Sequence, residues 1–139
     1  MILLDTHILV WAITGDTGRL RQDVLDDIDR AISRGEAAVS AATFWELEIK
    51  RRKPQGNLPD LPPVKGLRSG VLRRGLAEVP ITGSLWVDAV SLTNEGFHQD
   101  PADQLIVATA IHLDCELLTS DSKILAWAKQ TKMIRIYQG

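Results

Sequence analysis

The sequence predicts an α/β protein with a central, mostly parallel sheet covered by helices on both faces. Two observations carry this reading. Short apolar runs at residues 2–4, 37–39, 78–81, 116–119 and 133–137 lack a helical period and read as strands. Between them lie segments whose apolar residues recur every three to four positions, and helical crossovers of that kind join parallel strands. The chain has 139 residues, 45% apolar and 24% charged, so one globular domain over residues 1–139 is expected.

The first strand ends at Asp5, and residues 7–13 form the helix that follows, closed by a loop around Gly15, Asp16 and Gly18. Val24, Leu25, Ile28 and Ile32 give a second helix one apolar face over about 21–33, and Gly35 stops it. After the second strand, Ser40 is placed to cap a helix that runs to Arg52 and ends at Pro54. Residues 54–63 hold four prolines and a glycine and are expected to be loop. Residues 64–74 read as a helix weakened by Gly66 and Gly70, and 84–92 as another. Asp100 and Pro101 then open a helix as N-cap and first helical residue, setting Asp103 in the first turn. That helix is apolar nearly all round to Leu113 and should be central and buried. Residues 122–130 form the last helix.

Net charge is only −2, which argues against strong non-specific binding of nucleic acid. The charge is unevenly spread, however. From Lys50 to Arg74 eight basic residues stand against one acid, Asp60, and the remainder of the chain is acidic. That division suits a protein that holds phosphates in one place and cations in another, and it equally suits a solvated helix face. The lone Cys115, beside Leu117 and Leu118, reads as a buried thiol in a reducing compartment. No run of about eighteen apolar residues or secretory signal is present, so no membrane association and a cytoplasmic location are expected.

In a parallel sheet, ligands bind outside the carboxyl ends of the strands. That rule singles out Asp5 and Asp121, which follow apolar strands, and Asp103, which opens a helix leading into the same layer. Glu46 lies on the helix leaving the second strand, so all four can face one crevice. Each aspartate also has a structural explanation, as a helix cap or a first-turn acid. Glu46 sits too deep in its helix to cap anything, and its neighbours Phe44, Trp45, Leu47 and Ile49 are apolar. Its charge needs a partner, either Lys50 at i+4 or a shared cation. Converging carboxylates raise one another's pKa, and a divalent ion relieves the repulsion. An all-oxygen set without a histidine or thiolate cluster selects Mg²⁺, with Mn²⁺ as the alternative, over zinc. Phosphodiester hydrolysis is the reaction such equipment supports.

Residues 3–7 (LLDTH), 40–50 (SAATFWELEIK), 98–110 (HQDPADQLIVATA) and 118–125 (LTSDSKIL) resemble the conserved blocks of the PIN-domain nucleases. More narrowly, they resemble the VapC-type toxins of bacterial toxin–antitoxin pairs, and the blocks run in order over nearly the whole chain. The resemblance implies a three-layer α/β/α sandwich, PIN-like, that forms a homodimer. It implies a Mg²⁺-dependent endoribonuclease that hydrolyses RNA through a metal-activated water. The family's acidic positions fall on Asp5, Glu46, Asp103 and Asp121, as catalytic residues and metal ligands. Asp100 in the same block, and Thr6 and Ser120 beside two of the ligands, are expected to support the carboxylates. Gln104 stands where a basic residue often follows the second aspartate, so no phosphate contact carries over to it. Lys50, Arg51, Arg52 and Lys53 are the candidate contacts to the RNA backbone. A cognate antitoxin is implied as partner, and an acidic pocket that draws a cation would also draw an arginine offered by such an inhibitor.

Other chemistries find little support. His7, His98 and His112 have no metal-binding spacing; His112 is expected to pack on its apolar helix, and His98 lies near enough to the acidic block to touch substrate. No serine-nucleophile or phosphate-loop motif is present. Trp11, Trp45, Trp86 and Trp127 are dispersed along helices, which favours core or dimer contact over base stacking. The alternative function is a non-catalytic PIN-like module that binds RNA or protein, although such a copy would be expected to have lost a carboxylate. A phosphoryl-transfer domain, with Lys123 near its aspartates, fits Glu46 poorly.

Overall fold

The computed structural model describes residues 1–53 and 61–139. Five strands, β1 (Ile2–Leu4), β2 (Ala37–Ser40), β3 (Ala77–Val79), β4 (Glu116–Leu118) and β5 (Arg135–Ile136), form one sheet. Its order is β3-β2-β1-β4-β5, and every pairing is parallel. The helices are α1 (Thr6–Thr14), α2 (Gln22–Ser33), α3 (Ala41–Arg52), α4 (Val64–Arg73), α5 (Gly83–Ser91), α6 (Pro101–Leu113) and α7 (Ser122–Thr131), with a 3-10 turn over Leu92–Glu95.

Strand side chains alternate between the two faces, and so the sheet divides two apolar cores. On one face Leu3, Ala38 and Leu117 pack with α5, α6 and α7 through Leu85, Ile106 and Ile124. On the other, Leu4, Val39 and Leu118 pack with α1, α2, α3 and α4 through Ile8, Ile28, Leu47 and Leu67. This is the three-layer α/β/α sandwich. The chain winds outward from β1 to β3 over one face, then returns to β4 and β5 over the other. The winding reverses between β1 and β4, and their carboxyl ends flank the switch point where such sheets hold ligands.

Most local expectations match. Ser40 caps α3 by accepting the Ala42 N–H at 3.1 Å, and Asp100 caps α6 with Pro101 as its first residue. Cys115 is buried. Helix α4 forms despite its two glycines, because Val64, Leu67 and Val71 bury one face and a Cβ at either glycine would meet open space. At Gly75, by contrast, φ is +115° and a Cβ would lie 2.3 Å from the Ile32 carbonyl oxygen, so only glycine lets α4 turn into β3 against the end of α2.

Two expectations need correction. Strand β5 is shorter than the apolar run from 133 to 137 suggested, since Met133 is exposed. Helix α6 is buried from Ala102 to Ala110, but its last turn emerges, and His112 is exposed rather than packed. Trp127 joins one buried core and Trp11 packs against the other, while Trp45 and Trp86 are about half exposed. The expected proline-rich loop lies, over residues 54–60, outside the described residues. Among the described residues no helix is long and apolar enough to cross a membrane.

Candidate active site

β1 and β4 pair with Leu4 opposite Leu118, so the residues that follow, Asp5 and Thr119, emerge side by side. The ladder continues one step as the Asp5 N–H donates to the Leu118 carbonyl at 3.0 Å. Asp5 is buried, and both its oxygens are engaged. The Thr6 N–H donates to Oδ1 at 2.7 Å, which caps α1, and the Thr119 hydroxyl donates to Oδ2 at 2.5 Å. Thr119 Oγ1 also accepts the Asp121 N–H at 3.0 Å. One threonine thus fixes two acids. Asp121 in turn caps α7, its Oδ1 accepting the Ile124 N–H at 2.9 Å.

Asp103 reaches the site from the first turn of α6, where its N–H donates to Asp100 Oδ1 at 3.1 Å. Its side chain is 16% exposed, and Oδ2 lies 2.7 Å from His98 Nε2. The imidazole stacks on Phe97 at 4.3 Å, and Phe97 meets the edge of buried Trp127 at 5.0 Å. Gln104 is buried and donates to the His98 carbonyl at 3.1 Å, so it secures the histidine's backbone. Glu46 enters from α3. The Thr43 and Thr6 hydroxyls meet at 3.2 Å, which ties α3 to α1, and Glu46 follows one turn later. Its side chain is 13% exposed and pairs with Lys50 Nζ at 3.1 Å.

These acids lie within electrostatic reach of one another. Burial pushes the Asp5 carboxyl above its usual value; Glu46 adds to the rise, and the bonds from Thr119 and Thr6 oppose it. Asp103 is raised to about 6, chiefly by burial and further by the charges of Asp100, Asp5 and Asp121, while the bond to His98 opposes the shift. The predicted set is therefore assembled as a chain of neighbours from Glu46 through Asp5 and Asp103 to Asp121. It is not a closed cage. Among the described residues no three His, Cys, Asp or Glu side chains are gathered closely enough to hold a metal ion. The donor chemistry nonetheless fits a hard cation, because all four groups offer carboxylate oxygen and repel one another in its absence. Mg²⁺ keeps several waters and is commonly held by only one or two carboxylates, so it does not require a protein cage.

The supporting residues differ from expectation. Asp100 caps α6 as predicted and adds its charge to the cluster. Thr6 supports Asp5 through its N–H, while its hydroxyl faces Thr43. Ser120 is exposed and takes no part in the hydrogen bonds among the described residues; Thr119, one position earlier, holds the carboxylate. Strand alternation explains the difference, since the residue that continues the β4 ladder beside Asp5 is Thr119. His98 is bound to an acid of the site, a role that its position two residues before the Asp-Pro cap could have signalled.

Part of the basic stripe is paired with acids in space, and positive charge remains in excess. Lys50 pairs with Glu46, Arg51 and Arg52 share Glu48 at 3.6 and 2.9 Å, and Arg74 meets Asp29 at 3.2 Å. Arg68 makes a two-point bond to Glu78 at 2.7 Å, which holds the Glu78 carboxyl below its usual range. Lys53 is exposed at the end of α3.

The PIN domain profile matches residues 2–130. Ribonuclease VapC22 of Mycobacterium tuberculosis is 32% identical over 123 residues, which cover 88% of each chain. Among solved structures, VapBC2 from Rickettsia felis, bound to a DNA fragment from its promoter, superposes with a TM-score of 0.64 at 18% identity. That match covers 99% of this chain and 98% of the other. FitAcB from Neisseria gonorrhoeae gives 0.57 at 19% identity, over 99% and 97%. At such identities the two structures speak for the fold alone, whereas the profile and the mycobacterial relative speak for ancestry. The chain belongs to the PIN-domain family.

Proposed function

We propose that this chain, acting as one domain over residues 1–139, is an endoribonuclease that depends on Mg²⁺, or Mn²⁺, and serves as the toxin of a toxin–antitoxin pair. One observation carries the reading: Asp5 after β1, Asp103 on α6 and Asp121 at the cap of α7 lie in electrostatic reach of one another near the switch point, and burial together with these charges raises Asp103 to about 6. Repulsion that the protein itself leaves uncompensated is what a divalent cation relieves. Asp5, Asp103, Asp121 and Glu46 are the residues that would hold it. When bound, such a cation supplies Lewis acidity toward a phosphoryl oxygen and eases the ionisation of water. Asp5, fixed by Thr6 and Thr119, and Asp103, fixed by His98, keep their carboxylates oriented before substrate arrives. Lys50, Arg51, Arg52 and Lys53 on the last turns of α3 approach the RNA backbone, with their acid partners yielding to phosphate.

The relative named a ribonuclease supports this reading, and the solved VapBC2 and FitAcB structures share its fold. A homodimer, a cognate antitoxin that covers the acidic site, and a cytoplasmic location complete the proposal. The loose gathering of the acids favours a second reading, a PIN-like module that binds RNA or protein without cutting. RNA incubated with the purified chain in Mg²⁺, in Mn²⁺ and in EDTA separates the two. Cleavage with either metal, none in EDTA and none by Asp5→Asn supports the nuclease. A chain that binds RNA but never cuts it leaves the binding module.

A further inference from the structure

Trp45 stands 53% exposed immediately before Glu46 on α3. It forms the ridge between two depressions. On one side lies a cleft of about 160 Å³ shared with Glu46, Lys50, Asp100 and Pro101, at the edge of the acidic cluster. On the other lies a groove of about 580 Å³ between α3 and α4. Arg51, Arg52, Lys65 and Arg68 line that groove against one acid, Glu48. Arg51 and Arg52 both lean on Glu48, so one carboxylate faces two guanidinium groups and positive charge is left over. Arg68 is fixed by Glu78 and lies 6.0 Å from the centre of the Phe44 ring. An exposed indole beside cations in excess is the pairing that holds single-stranded nucleic acid, the bases stacking on the ring and the phosphates meeting the charge.

We propose that Trp45 is the stacking platform for an unpaired nucleobase of the RNA strand, which runs from the α3–α4 groove over the indole toward Glu46. The inference rests on the nuclease reading and adds to it the strand's path and its single-stranded character. Excess positive charge favours a polyanion over an apolar peptide or a second copy of the chain as occupant of the groove.

The test uses the whole protein in EDTA, where the strand is not cut, with a short single-stranded oligoribonucleotide carrying 2-aminopurine. Trp45→Ala should weaken binding by about 5- to 150-fold, the range for losing one stacked base. It should also abolish the quenching of the 2-aminopurine, while Trp45→Phe keeps most of both and Trp86→Ala, on α5, changes neither. Affinity for a duplex of the same sequence should be insensitive to Trp45→Ala. Thermal melts verify that the variants fold, as expected for an exposed side chain. Unchanged single-strand affinity or persistent quenching in Trp45→Ala would overturn the inference. So would loss of self-association or of inhibitor binding with RNA affinity intact, since the ridge would then be a protein interface. A wild-type chain that neither binds nor cleaves RNA would sink the nuclease reading with it; cleavage abolished by Asp5→Asn beside RNA binding indifferent to Trp45 would sink this inference alone.

Discussion

Replacing Asp103 by asparagine should stabilise the metal-free protein, and the size of the gain follows from the site. The Asp103 carboxyl titrates near 3.8 when unperturbed and at about 6 in the fold. Below about pH 3 it is protonated in both states and folding is not penalised. As pH rises toward 6 the unfolded chain gives up the proton first, so stability falls across that window and then levels off. The difference of roughly two units corresponds to on the order of 3 kcal/mol, already net of the bond to His98. Asparagine keeps an oxygen to accept from His98 and carries no charge, so it recovers most of this. In EDTA at about pH 8 the variant should melt roughly 10 °C above the wild type, and near pH 3 the two should coincide. Excess Mg²⁺ should narrow the gap at high pH, because an ion that binds only the folded wild type stabilises it by mass action. An equal gain at both pH values would refute the electrostatic account, and a loss at pH 8 would refute it outright.

Two further substitutions probe the scaffold. Thr119→Val removes the donor to Asp5 and the acceptor for the Asp121 N–H, and should cost about 2–3 kcal/mol in urea unfolding. Thr119→Ser, which keeps the hydroxyl, should recover most of that, and a serine variant as unstable as valine would argue against the bridge. Gly75→Ala forces a Cβ into the Ile32 carbonyl at a positive φ and should cost more than about 2 kcal/mol, or block folding. A urea midpoint unchanged from the wild type would show that the turn relaxes.

The sheet was legible because its strands are brief apolar interruptions between helical periods, and because Asp100-Pro101 can scarcely be anything but a helix start. Asp5 and Asp121 were legible for the same reason, as acids at or just past the ends of strands. Thr119 was not, because its tie to Asp5 spans 114 positions and depends on the β1–β4 register. The net charge of the basic stripe depends on the window in which it is counted. Glu46 and Glu48 lie just before Lys50, and their i,i+4 relation to Lys50 and Arg52 was open to inspection. Glu78 and Asp29 approach Arg68 and Arg74 only through the fold.

The carboxylates are also less alike than their shared chemistry suggests. Asp5 is held by two donors, Asp121 by the cap of α7, Asp103 by one imidazole and Glu46 by a lysine. Each acid has its own partner, but these partners offset the repulsion only in part, since Asp5 and Asp103 stay raised. For a divalent cation to take Glu46 as a ligand, it must displace or share Lys50, whereas Asp103 and Asp121 each accept a bond at only one oxygen. Affinity for the ion should therefore depend more on the aspartates, with Glu46 and Lys50 setting how readily the α3 side of the site opens to phosphate. Removing Lys50's charge would then ease access to Glu46 while weakening the hold on the strand, two opposed effects that a single activity measurement would merge and that separate titrations of metal and RNA would resolve.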